Sequence, residues 1–212
     1  MAGLNGTSLP EIDPPGGDAG LDRLLRDVRS CQICADQLPL GPRPVVRMAV
    51  TAKILVIGQA PGTKVHETGL PWNDASGDRL RDWLQLSVMD FYDPGKLAIM
   101  PMGFCYPGRS ARGGDLPPRP ECAPTWHDAL LNHLPDIGLT LLIGQYAQNR
   151  YLGPRRAKTM TDTVRRFEDY LADGMLPMPH PSWRSTGWMK KNPWFERDLL
   201  PVLRDRVYGV LG

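Results

Sequence analysis

Short apolar runs that end in glycine or proline alternate along this chain with stretches whose apolar positions recur every three or four residues. Residues 52–58 (AKILVIG), 97–102 and 139–144 (LTLLIG) are runs of the first kind, and 175–179 is a weaker fourth. Successive strand residues point to opposite faces, so an uninterrupted apolar run predicts a strand buried on both sides. In the second kind, residues 21–30 place Leu21, Leu24, Leu25 and Val28 on one helical face. Residues 77–86 turn Leu80, Trp83 and Leu84 inward, with Ser76 as the expected N-cap. Pro124 opens a further helix containing Trp126, Leu130, Leu131 and Leu134. Proline suits a first turn because its missing N–H has no helical partner there. Residues 161–171 and 194–207 are the last two predicted helices.

Strands alternating with helices predict an α/β fold whose parallel sheet is covered on both faces. Ligands of such sheets bind beyond the carboxyl ends of the strands. Chemistry is therefore expected in the loops after Gly58, Met102 and Pro179. No internal repeat is visible.

The chain has 212 residues, enough for one domain with a sizeable core. Its hydrophobic fraction is 42% and its charged fraction 23%, which excludes a collagen-like or wholly disordered chain. Residues 1–20 are rich in Gly, Pro and Asp and read as a flexible tail, leaving 21–212 as the folded domain. No basic-then-apolar leader and no membrane-length apolar run are present, so a cytoplasmic protein with no membrane partner is expected. The net charge of +2 is too small for binding to DNA through overall charge, so any DNA contact must come from local patches. The 22 prolines and 22 glycines imply many ordered loops.

Four cysteines stand out: Cys31 and Cys34 in a C-x2-C turn, and Cys105 and Cys122 at the ends of a Gly-, Pro- and Arg-rich loop. A C-x2-C turn brings two sulfurs to one side, and two more complete a tetrahedral thiolate set. Buried free thiols are the plainer reading, and nothing points to an oxidising compartment that would favour disulfides. Zinc ribbons usually show two C-x2-C knuckles. Cys105 and Cys122 do not form a second one, which tilts the balance from zinc towards an iron–sulfur cluster.

The loop GQAPGTKVHETGLPWNDASGDRL (58–80) lacks the Gly-Lys-Ser/Thr of a P-loop and the glycine spacing of a dinucleotide fingerprint. It is stiff yet open, and Gln59, His66, Glu67, Asp74 and Asp78 make it polar. An ordinary strand-to-helix connection is the plainer alternative. In the second loop, His180 stands between Pro179 and Pro181, which fix where the imidazole points. Ser182, Trp183 and Arg184 follow, and residues 184–206 carry six basic and three acidic residues. That excess suits either a solvated basic face or phosphate contact beside aromatic wedges.

Taken together these segments resemble the uracil-DNA glycosylase superfamily, in particular its iron–sulfur families 4 and 5. GQAPG (58–62) is similar to the first catalytic motif, DASGDRL (74–80) to its continuation in family 5, and HPSW (180–183) to the second motif. The cysteine spacing is similar to that of the 4Fe-4S ligands in those families, and 105–122 to the loop joining the last two ligands. The resemblance implies a three-layer α/β/α sandwich around a four-stranded parallel sheet. It also implies hydrolysis of the N-glycosidic bond of deoxyuridine, acting on a base flipped out of the stack, with free uracil as product. A monomeric enzyme of base excision repair follows, its partner being uracil-containing DNA in the cytoplasm.

The resemblance carries roles to particular positions. His180 matches the histidine that faces uracil O2, and Gly58, Gln59 and Ala60 supply backbone amides around base and water. Trp72 falls where the family has a Phe that stacks on uracil, and Met102 lies in the stretch that reads the base edge. Ser182, Trp183, Arg184, Arg109, Arg112 and Lys190 are the expected DNA contacts. Cys31, Cys34, Cys105 and Cys122 are the cluster ligands, with zinc as the lesser alternative. The family's acidic residue is missing from the first motif, where Gln59 and Ala60 stand. Asp74 is then the favoured base, with His66 second. No asparagine occurs in 100–104, so a wider substrate range (hypoxanthine, xanthine) or a non-catalytic uracil- or DNA-binding module are the rival expectations. An electron carrier fits poorly, because ferredoxin-type cysteines are spaced much more tightly.

Overall fold

A computed structural model describes residues 15–111 and 113–212. The strands β1 (Ile54–Ile57), β2 (Leu97–Ile99), β3 (Leu139–Ile143) and β4 (Met175–Met178) form one sheet in the order β2-β1-β3-β4, every pair parallel. Helix α1 (Ala19–Arg29) precedes the sheet. Helices α2 (Thr63–Thr68), α3 (Ala75–Leu84) and α4 (Val88–Tyr92) connect β1 to β2, and α5 (Asp128–Leu131) connects β2 to β3. Helices α6 (Gln145–Leu152), α7 (Met160–Arg165) and α8 (Glu168–Leu171) connect β3 to β4. Helices α9 (Ser185–Lys191) and α10 (Leu200–Leu211) follow the last strand. Wider π-type turns, Ala123–His127 and Phe195–Leu199, lead into α5 and α10.

The layers follow from strand alternation. Ile54 and Val56 of β1 enter one core with Leu97, Ile99, Leu141 and Leu176. Leu80 and Trp83 of α3, Phe91 of α4, Val164 of α7, and Leu203 and Val207 of α10 cover that side. Leu55 and Ile57 enter the opposite core with Ala98 and Leu142, under Leu21, Leu25 and Val28 of α1, Leu130 of α5, and Ala147 and Leu152 of α6. Each such leucine contributes about 1.5–3 kcal/mol through burial. The result is a three-layer α/β/α sandwich, and all four predicted strands lie in its middle layer. Pro177 explains why the fourth was weakly patterned: β4 is an edge strand, where a residue without an N–H costs least.

Several boundaries differ from the sequence reading. Helix α1 starts at Ala19 because Asp18 caps it, accepting from the amides of Gly20 and Leu21. Residues 1–14 of the expected tail lie outside the described residues. The N-cap of α3 is Asp74 and not Ser76; its Oδ1 accepts from the Gly77 amide at 2.9 Å. The single helix expected over 161–171 is two short ones, because the chain leaves helical geometry at Arg166. Among the described residues, no helix is long and apolar enough to cross a membrane.

From β1 the chain moves outward to β2, then returns past β1 to β3. The connections after β1 and β3 therefore leave in opposite directions. The crevice between them is where ligands of open α/β sheets bind.

Candidate active site

A cleft of about 420 Å³ opens at the carboxyl end of the sheet. One wall is the glycine turn, with Gly58, Gln59, Ala60, Pro61 and Gly62, continued by Trp72 and Asp74. Opposite stand Pro101, Arg109 and Asp115 from the loop after β2, and His180, Ser182, Trp183 and Arg184 from the loop after β4.

Trp72 is held in a left-handed backbone conformation, φ +56°, which costs a non-glycine residue about 1–2 kcal/mol. Its surroundings fix that pose. The Tyr92 hydroxyl donates to the Pro71 carbonyl at 2.9 Å, and Arg81 Nη1 donates to the Trp72 carbonyl at 3.3 Å. A Cβ on Gly77 would stand 1.7 Å from that carbonyl oxygen, and one on Gly58 would stand 2.8 Å from the indole ring. Glycine is needed at both positions for the indole to lie where it does.

His180 follows the edge strand directly. Its carbonyl accepts from the Ser185 hydroxyl at the start of α9, and Arg79 Nη1 of α3 donates to the Ser182 carbonyl at 2.6 Å. These bonds hold the loop against α3. Burial keeps the imidazole pKa below its ordinary value, while the charge of Asp74 pulls weakly the other way. At neutral pH the ring is therefore uncharged, with one N–H to donate and one nitrogen to accept.

The loop after β2 folds into a small hairpin. Arg109 and Asp115 form an antiparallel bridge, and the Leu116 amide donates to the Gly108 carbonyl at 2.8 Å. The Gln59 side-chain amide donates to the Leu116 carbonyl at 3.2 Å, tying the glycine turn to the hairpin. Gln59 thus pins two loops together. Arg184 reaches the hairpin from the other side, its Nη1 2.7 Å from where a Cβ on Gly114 would stand.

Of the residues singled out from sequence, Gly58, Gln59, Ala60, Trp72, Asp74, Arg109, His180, Ser182, Trp183 and Arg184 line this cleft. His66 and Met102 do not. His66 lies on α2 beside Tyr106, ring centroids 6.1 Å apart, and its buried Nδ1 has no hydrogen-bond partner among the described residues. Burial, aided by the Arg43 charge, lowers its pKa. Met102 packs into the second core, because its amide donates to the Gly58 carbonyl at 2.9 Å and turns the side chain inward. Lys190 is exposed on α9, apart from the cleft walls. Arg112 lies outside the described residues. Sequence reasoning missed Asp115 and Arg79. Asp115 stood in an aperiodic loop, and Arg79 acts on a carbonyl 103 residues further along the chain.

The four cysteines converge. Cys31, Cys34, Cys105 and Cys122 surround one small cavity of about 20 Å³, with Phe104, Arg119 and Trp126 among its other walls. All four are free thiols. Burial, with the like charges of the other cysteines, pushes the Cys105 thiol up to about 12 and the Cys122 thiol up to about 11. The Phe104 amide donates to Cys122 Sγ at 3.5 Å. Sulfurs gathered in one small cavity and met by a backbone N–H suit a group that binds thiolates. Among the described residues, no group of three or more His, Cys, Asp or Glu is spaced to hold a single metal ion directly.

A parallel α/β/α sandwich thus carries, at the carboxyl end of its sheet, a cleft lined by the glycine turn after β1 and by His180 after β4. The family model of the uracil DNA glycosylase superfamily matches residues 46–204, and the chain belongs to that superfamily. Membership supports a glycosylase, a hydrolase whose relatives act on DNA.

Proposed function

We propose that this protein is a uracil-DNA glycosylase of the iron–sulfur type, removing uracil from DNA as the first step of base excision repair. The observation that carries this reading is the pairing of Trp72, packed on the glycine turn at Gly58, with His180. A base flipped into the cleft would stack on the indole, a contact that contributes about 1–3 kcal/mol. Its O2 would then meet the His180 N–H.

Breaking the glycosidic bond builds positive charge on the sugar and negative charge on the departing uracil. A neutral, preorganised imidazole N–H stabilises that anion as it forms, an effect on the order of 3 kcal/mol at comparable oxyanion sites. The amides of residues 58–60 support base and water. Gln59 and Ala60 cannot accept a proton, so the acids on the cleft walls must serve, and these are Asp74 and Asp115. Trp183, 77% exposed at the cleft mouth with the Arg184 guanidinium 5.5 Å over its ring, would fill the gap left in the stack while Arg184 meets phosphate.

Cys31, Cys34, Cys105 and Cys122 would hold a 4Fe-4S cluster. Bound there, it would act structurally, cross-linking the segment after α1 to both ends of the hairpin loop. The protein would act on DNA as a monomer in the cytoplasm.

A wider substrate range is the second reading. The cleft volume of about 420 Å³ and the lack of an asparagine over 100–104 leave room for a purine such as hypoxanthine or xanthine. Oligonucleotides carrying uracil, hypoxanthine, xanthine or thymine, incubated with the protein and then cleaved with alkali, distinguish these readings. Strand scission at uracil is expected. No scission on any of them leaves only a binding module.

A further inference from the structure

The glycine turn of this cleft carries no acid, and the opposite wall carries one that the sequence motifs do not single out. We propose that Asp115, at the end of the hairpin, is the residue that takes the proton from the attacking water, and that Asp74 mainly holds the start of α3. This inference rests on the glycosylase reading above.

Four observations separate the two carboxylates. One oxygen of Asp74 is committed to the Gly77 amide as the cap of α3. Asp115 has no hydrogen bond or ion pair among the described residues; Arg109, Arg184 and Asp74 act on it through space. Its Oδ2 stands 3.6 Å from where a Cβ on Gly62 would be, so the carboxylate faces the turn whose amides would hold base and water. The Gln59 bond to Leu116 fixes the residue next to Asp115 against that same turn. In support, burial and the charge of Asp74 raise the Asp115 pKa while the two arginines oppose the rise. A raised pKa makes the ionised carboxylate a stronger base than a free one.

In the step assigned to it, the water oxygen bonds to the deoxyribose C1′ and the C1′–N1 bond breaks, its electron pair leaving on uracil. The water proton passes to the Asp115 carboxylate and from there to solvent.

The test is single-turnover uracil release from a single-stranded oligonucleotide under excess enzyme, between pH 5 and 9. Wild type, Asp115→Asn, Asp115→Glu and Asp74→Asn are compared, with Kd for abasic DNA and Tm measured on each. Asn retains capping at position 74, so that variant tests charge alone. Asp115→Asn is expected to slow release on the order of 10²-fold or more with Kd and Tm unchanged, and to remove the acidic limb of the pH profile. Asp115→Glu should recover a substantial part of the rate, and Asp74→Asn should lose less than Asp115→Asn. An active wild type with Asp115→Asn less than about tenfold slower, or with Asp74→Asn carrying the larger loss, overturns the assignment. A wild type that releases no uracil overturns the glycosylase reading itself, and this inference with it.

Discussion

The indole of Trp72 and the imidazole of His180 lie with ring centroids 5.6 Å apart and planes tilted by 33°. They stand 108 positions apart in the sequence and meet in the cleft at the carboxyl end of the sheet. One ring offers a flat apolar face and the other a neutral N–H. The tryptophan is kept there by a left-handed backbone and two glycines, and the histidine by flanking prolines and the Ser185 hydroxyl.

Gly77→Ala tests that support. The added methyl would meet the Trp72 carbonyl at 1.7 Å, closer than any adjustment of a side chain can relieve. Overpacking of this kind costs about 1–3 kcal/mol, and Tm should fall by about 2–12 °C. Base release should fall as well, because the indole moves with its backbone. A variant of unchanged Tm and rate would show that the turn is not rigid.

Replacing His180 with Ala should reduce kcat on the order of 10²–10³-fold while binding of abasic DNA changes little. Because burial lowers the imidazole pKa, the donor stays neutral at pH values where an ordinary histidine is charged. No inflection lost in the His180 variant should therefore lie at or above pH 6.5. Finding one there would mean that the charged ring is the active form.

His127 predicts a slope in stability. It is fully buried, with Nδ1 2.6 Å from the Tyr151 hydroxyl and Nε2 3.2 Å from the carbonyl of Pro101, and burial pushes its pKa down to about 4. Between pH 6.5 and 4 the unfolded chain takes up a proton that the folded state refuses. Stability is therefore complete above pH 6.5 and falls as pH drops to 4, by about 2–3 kcal/mol from this residue. Urea unfolding at pH 7.5 and 4.5 should show that much less pH dependence in His127→Gln than in wild type. Equal slopes would remove the assignment.

The cysteine cavity predicts colour. Protein purified without oxygen should be brown, with thiolate-to-iron absorption in the visible. Cys105→Ala should abolish that absorption and lower Tm, since the ligated group contributes to folding. A colourless protein with one bound zinc per chain would overturn the cluster.

Trp183 and Arg184 predict separable effects on DNA. Arg184→Ala should weaken binding uniformly across sequences and reduce the slope of log K against log salt by about 1. Trp183→Ala should leave the salt slope alone and slow base release from duplex more than from single strands, where no stack has to be broken.

Much of the fold was legible because sheets covered on both faces leave uninterrupted apolar runs, as in ILVI and LTLLI. Helix α6 was not legible, since QYAQNRYL carries no apolar stripe. Its buried Gln148 instead donates to the carbonyls of Leu142 and Met178. The cap of α3 was misread because Asp74 and Ser76 are equally good caps, and only the bond to Gly77 decides. His180, Trp72 and the glycine turn could be read from local motifs. Asp115 could not, because its place depends on the bridge to Arg109 and on Arg184, 69 positions later in the sequence. Met102 was misplaced because alternation alone does not say which way a residue turns beyond the end of a strand.

The strand order has a consequence for synthesis of the chain. The imidazole and the aromatic–arginine pair arrive only with the outermost strand, which is also the last to be made. A ribosome that has delivered β1, β2 and β3 has built the glycine turn, the Trp72 indole and the hairpin, yet neither His180 nor the Trp183–Arg184 pair. A chain that stops before the final edge strand therefore lacks the cleft wall that follows it, and the site is completed only when that strand is laid down.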